Sequence, residues 1–303
     1  MVKITTENEY LKSSKVRLRT VIDGFLQENI KWEQVVELFQ KWRNQNEYGV
    51  LDQIQEDGGR KLILFKLAKR GNDVYRFRLL KRLEPFLRNK QFKLKLAEMH
   101  GCFITLTFNP EWVREYGVWD KVVAWKEISK RWNLFLTKLR KKFPYLFLFR
   151  VWESTKKGYP HIHFIIYFQE FVYIPQEWLQ QQWGAYVWIE AIRHPIRTFH
   201  YLVKYLIKTH EDPEHIITLV SLWLFRKRAF SIHLLFDLIP YMHNSNSNLC
   251  NAQVKFAYLF LGIVILSEQI IALDGKLPWQ FVCPKAFERQ VLDALDSGGV
   301  VQF

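Results

Sequence analysis

The run from Gly158 to Phe168, GYPHIHFIIYF, constrains the fold more than any other stretch of the chain. Its texture is apolar and aromatic, it follows a Gly and a Pro, and it predicts a buried strand. YLFLFRVWES, just upstream across the turn TKKGYP, predicts a second strand. CFITLTFNP predicts another, stopped at Asn109-Pro110. Between these two, DKVVAWKEISKRWNLFLTKLRKKFP predicts a long helix with a basic last turn, ended by Pro144. Downstream come a short helix, IPQEWLQQQWG, closed by Gly184, a strand in AYVWIEAIRH, and a helix in RTFHYLVKYLIKTH. A second helical stretch, HIITLVSLWLF, and a returning strand, RKRAFSIHLLF, follow. Strands and helices in this order predict an α+β fold with a central antiparallel β-sheet flanked by helices.

Around that core the expectations are coarser. NEYLKSSKVRLRTVIDGFLQENIKWEQVVELFQKWRNQN has apolar residues at three-to-four spacing, so the N-terminal region reads as helical. EDGG and KRGNDV are breaks, and HNSNSNLCN at 243–251 reads as a linker or exposed loop. The expected division is residues 1–95 as a basic helical N-terminal region, 96–240 as the core, and 241–303 as a C-terminal helical extension. MVKITTENEY does not look like a secretory leader, and the longest apolar run, Phe256 to Leu266, is too short to span a bilayer. The expectation is a cytoplasmic protein with no membrane partner. Cys102, Cys250 and Cys283 form no CxxC pair, which argues against a disulfide framework or a cysteine zinc site.

The charge is concentrated. The formal net charge is +14 and the pI about 9.6. Residues 60–210 hold 29 basic and 11 acidic side chains, while 1–59 and 211–303 each carry a small negative balance. Solubility alone gives no reason for such confinement, and an anionic partner does. In RKLILFKLAKRGNDVYRFRLLKRLEPFLRNKQFKLK, basic and aromatic residues interleave, as on surfaces that grip phosphates and stack bases. Arg70, Arg76, Arg78, Lys81 and Arg82 are the candidate DNA-binding residues. The competing reading of this stretch is a pair of amphipathic helices with a solvated face.

Alternate residues of a strand face one side, so His161 and His163 project together. The hairpin turn returns Glu153 to within side-chain reach of the pair. Two imidazoles and a carboxylate make a mixed nitrogen and oxygen set that suits Mg²⁺ or Mn²⁺, with zinc as an alternative. A histidine-triad hydrolase would need a third alternating histidine, and that position is Ile165. Farther on, YLVKYLIK places Tyr201 and Tyr205 one helical turn apart, each with a lysine three residues on, Lys204 and Lys208. A tyrosine oxygen becomes a nucleophile when its proton is taken and the target phosphorus is made electrophilic. His100, His194, His210, His215, His233 and His243 read as surface or core residues. His200, beside Tyr201, is the one to test as a proton acceptor.

FITLTFNP, HIH at 161–163 and YLVKYLIK together resemble, in order and spacing, the rolling-circle replication initiators of the HUH endonuclease superfamily in their two-tyrosine form. The resemblance covers about residues 100–233. It implies an antiparallel sheet whose central strands carry the histidines, with the tyrosine helix across the metal. It also implies a reaction in which tyrosine attacks a single-stranded DNA phosphodiester at a replication origin, leaving a 5′-phosphotyrosine and a free 3′-OH primer. His161, His163 and Glu153 would hold the metal. Tyr205 and Tyr201 would be nucleophiles, Tyr205 first, assisted by Lys204 and Lys208. No GxxxxGK[ST] occurs, so unwinding would fall to a separate helicase and synthesis to a host DNA polymerase. An HUH transposase or mobilisation relaxase, and a non-catalytic nucleic-acid-binding regulator, are the competing readings.

Overall fold

The computed structural model describes residues 31–54, 59–108, 121–208, 215–234, 257–266, 280–297 and 300–301. The expected helix before residue 31, the Asn109-Pro110 stop, most of EDGG, the 243–251 stretch, His210 and His243 lie outside them. In chain order the elements are α1 (Trp32–Asn44), β1 (Glu47–Ile54), β2 (Arg60–Lys66), α2 (Asp73–Arg88), α3 (Lys90–Ala97), β3 (His100–Leu106), α4 (Lys121–Lys142), β4 (Phe147–Ser154), β5 (Pro160–Phe168), α5 (Gln176–Trp183), β6 (Val187–Ala191), α6 (Pro195–Lys208), α7 (Ile216–Leu224), β7 (Phe230–Leu234), β8 (Ala257–Leu266), β9 (Gln280–Val282), α8 (Lys285–Ser297) and β10 (Val300–Val301). The class is α+β, as expected. Among the described residues no helix is long and apolar enough to cross a membrane.

The chain divides into two compact units. One joins Met1–Arg78 to Asn248–Phe303 and is built on a sheet of order β10-β8-β1-β2-β9. The β10–β8 pair is parallel and the other pairs are antiparallel. Tyr48, Val50, Leu62, Leu64, Val264 and Leu266 form its core with Val291 and Ala294 of α8. Glu47 and Lys69 pair at 2.8 Å in its interior, and the same ammonium donates to the carbonyls of Trp42 and Gln45.

The helical reading of the two terminal regions needs correction here. Each contains a helix, α1 and α8, but RKLILFK is strand β2 and the long apolar run near 256–266 is strand β8. A short continuous apolar run does not distinguish a strand from a buried helix by periodicity. What decides is the partner: β1 pairs with β2 on one edge and with β8 on the other.

The other unit, Leu79–Ser247, holds the antiparallel sheet β6-β3-β5-β4-β7, with the histidine strand β5 at its centre. Alternation along β4 and β5 sends side chains to two differently packed faces. On one face α6 lies across the sheet. Its Phe199 meets Phe147 at 5.8 Å and Phe149 at 5.4 Å, and Phe92 of α3 at 6.1 Å. Tyr167 anchors the start of the same helix by donating to the Pro195 carbonyl at 2.8 Å. On the other face α4 supplies Trp132, 5.2 Å from Phe164, and Trp125, 6.0 Å from Trp152. Gly184 ends α5 at φ 79, a left-handed cap that glycine adopts without strain.

Phe199 therefore sets where α6 sits on the sheet. Phe199→Ala should cost about 3–5 kcal/mol of local stability, read as a drop of several degrees in the melting temperature of the full chain.

Candidate metal centre and tyrosine helix

The β4–β5 hairpin turns through Thr155–Tyr159, where Gly158 adopts φ 88 and its amide donates to the Thr155 carbonyl at 2.8 Å. That turn sets the register, in which Glu153 stands opposite His161 and Val151 opposite His163. Glu153, His161 and His163 therefore converge on one face, their ligand atoms all within 4.8 Å of one another. The imidazoles stack with centroids 4.6 Å apart, and Glu153 Oε2 lies 2.9 Å from His163 Nε2. A carboxylate only accepts, so Nε2 carries the proton toward it. His163 Nδ1 is left as the acceptor for the Thr105 hydroxyl, 3.0 Å away on the neighbouring strand β3.

The three residues fit a divalent ion. His161 Nε2 is buried and has no hydrogen-bond partner, as befits a nitrogen whose partner is a metal. Burial, with the neighbouring His163, lowers the His161 pKa to about 4, so its lone pair stays available at neutral pH. For Glu153, burial pushes upward, but the hydrogen bonds from His163 and Tyr205 outweigh it and hold the carboxyl below its usual range. An ionised carboxylate between two imidazoles is the donor set expected for Mg²⁺ or Mn²⁺.

Helix α6 brings the tyrosines to this cluster. Its buried stripe is Phe199, Leu202, Val203 and Leu206, and Tyr201 and Tyr205 flank that stripe. The Tyr205 hydroxyl donates to Glu153 Oε1, and its ring stands edge-on to His163 at 5.7 Å. Burial first, then the Glu153 hydrogen bond and charge, raises the Tyr205 pKa, so this hydroxyl rests as a phenol. Tyr201 stacks on Tyr205 with centroids 6.4 Å apart and is 59% exposed. Lys204 and Lys208 lie on the exposed side of the same helix.

The basic candidates have other neighbours. Arg70 places its guanidinium 5.6 Å over the Tyr75 ring, and burial lowers its pKa. Lys81 pairs with Glu84 at 3.2 Å, and Arg82 covers Phe230 at 5.1 Å. Arg76 is half-buried and Arg78 exposed.

Three residues at the site escaped the sequence reading. Thr105 orients His163, and its only advance signal was its place in FITLTF. His215, at the start of α7, brings its ring to 6.0 Å from that of Tyr205 and its Nδ1 to 3.9 Å from Glu153 Oε1. His200, the expected proton acceptor, instead lies beside Lys93 of α3, with its Nε2 buried and unpartnered. Trp188, on the edge strand β6, stands opposite Thr105 and hence on the metal-facing side, 50% exposed. Tyr186, two residues earlier, is 53% exposed.

Titration with Mn²⁺ by calorimetry should show one site that His161→Ala abolishes. Thr105→Val, which removes the hydroxyl holding His163, should weaken that affinity by about 10- to 100-fold.

Residues 101–210 match a family model described as a replication-associated protein of the ORF2 type. No curated protein and no solved structure matches the chain. The matched segment runs from β3 through the histidine strand to the end of the tyrosine helix, and it supports a replication initiator family.

Proposed function

We propose that the chain is a rolling-circle replication initiator of the HUH endonuclease type, which nicks and rejoins single-stranded DNA at an origin. The observation that carries this reading is the hydrogen bond from the Tyr205 hydroxyl to Glu153, which puts a potential nucleophile at a Glu-His-His cluster. A Mg²⁺ or Mn²⁺ ion held by Glu153, His161 and His163 would polarise the oxygens of a phosphodiester.

The chain's own groups then have distinct tasks. Glu153 Oε1 already accepts the Tyr205 proton in a hydrogen bond and is the first base on its path. The phenolic oxygen attacks phosphorus, the bond from phosphorus to the 3′ oxygen breaks, and the products are a 5′-phosphotyrosine and a free 3′-OH. Lys204 and Lys208 lend positive charge beside the phenolic oxygens. Tyr201, one turn along the helix, takes the later transfer that rejoins the strand. The exposed faces of Trp188 and Tyr186 flank the centre and suit unpaired bases, which stack without sequence demand. Arg78 and the basic segment around it extend the grip on the backbone.

Transesterification conserves the phosphodiester's energy, so no nucleotide is consumed, and a separate helicase and host polymerase complete replication. The replication-family match favours an initiator over a transposase or relaxase.

Incubation with Mn²⁺ and single-stranded origin DNA should give a covalent adduct that mass spectrometry assigns to Tyr205. Tyr205→Phe should lower first-strand cleavage by about 10³-fold or more, and chelator should abolish it. Trp188→Ala should weaken oligonucleotide binding by about 1–3 kcal/mol with the metal affinity unchanged. Binding with no cleavage under these conditions would instead favour a non-catalytic regulator.

A further inference from the structure

The sheet that carries the histidines has a second unusual group on its opposite face. Arg150 of β4 alternates with Val151 and Glu153, so it points away from the metal centre and toward α4. It is only 9% exposed. Its guanidinium lies 5.2 Å from the Trp132 ring and 4.5 Å from the Trp152 ring. Two indoles attract a cation but satisfy none of its N–H donors. Among the described residues Arg150 has no hydrogen bond and no ion pair, and its Nε is fully buried without a partner.

Its surroundings deepen the imbalance. Burial, and then the charge of Arg228, pulls the Arg150 pKa down to about 9. Lys227 is depressed by burial and by Arg150, and His233 by burial, Arg140 and Arg150. Directly across the β4–β7 ladder from Arg150 stands Ser231, whose Oγ is also buried with no partner. Lys227 donates to Ser129 of α4, and Arg140 to the Tyr145 hydroxyl. No acidic side chain contributes to any of these shifts. A desolvated cation among other cations, with an unused hydroxyl beside it, lacks a counter-charge that a bound anion would supply.

We propose that Arg150, Ser231 and Arg228 form a phosphate-binding site on the face of the sheet opposite the metal centre. The ligand class is a phosphate group, carried either by a nucleic-acid backbone or by a free phosphate. Arg150 supplies N–H donors from the interior, Ser231 a hydroxyl, and exposed Arg228 a second charge at the surface. The site stands independently of the nicking reaction.

The test is thermal melting of the full chain in HEPES with chelator at constant ionic strength, with sodium phosphate exchanged for chloride. Saturating phosphate should raise the melting temperature by about 5 °C. Arg150→Met should lose that gain and, without phosphate, should be at least as stable as the native chain, because it removes an unpaired buried charge. Arg228→Ala, a surface change, should weaken the apparent phosphate affinity about tenfold. The same series with a short single-stranded oligonucleotide separates the sources. A variant-sensitive response to phosphate alone assigns a free phosphate, to the oligonucleotide alone a strand backbone, and to both a general phosphate site. No response to either ligand, or gains of native size in both variants, would overturn the proposal. Chelator is present throughout, so a failure of metal-dependent nicking leaves these outcomes unchanged.

Discussion

One carboxylate ties the sheet to the helix. Glu153 meets His163 through one oxygen and takes the Tyr205 hydroxyl through the other. Both bonds are charge-assisted, the class strong enough to offset the cost of burying the charge. Without it, the imidazole pair and the phenol would be neighbours with nothing to fix their mutual orientation. The residue can do this because the tight turn at Gly158 sets a register in which Glu153 and His161 face each other across the ladder. A slip of one position would send Glu153 to the opposite face.

The helix brings its own constraint. Tyr205 reaches Glu153 only if α6 lies at a particular height and rotation over the sheet, and aromatic packing sets both. Phe199 wedges between Phe147, Phe149 and Phe92, while Tyr167 holds the helix at its first residue. Rings of this size lose much contact energy for a small displacement, so they serve as a stiff mount. The chemistry-bearing side chains thus rest on a support made of residues with no chemistry of their own.

Where the sequence speaks through short spacing, it could be read. The alternation in HIH, the four-residue interval between the tyrosines and the compact TKKGYP turn are local patterns. The cluster of Glu153, His161 and His163 followed from them, as did the nearness of Tyr201 to Tyr205. Thr105, His215 and Trp188 were not legible, because each depends on which strand or loop comes to lie beside which. Thr105 reaches His163 across a separation of 58 residues. The same limit misled the reading of β2 and β8, whose apolar runs become strands by pairing with β1. Arg150 shows the converse. One arginine within YLFLFRVWES carries no local signal, and its burial between indoles emerges only when α4 is laid on the sheet.

The unit built on β1 and β2 takes its third strand, β8, from almost two hundred residues farther along the chain. On the ribosome the stretch bearing the histidines and tyrosines is therefore complete while the earlier unit still has an open edge on β1, exposing unpaired amides and carbonyls. A nascent chain must keep that edge from recruiting a stranger until its own tail arrives. Any early stop codon upstream of β8 would leave it sticky for good.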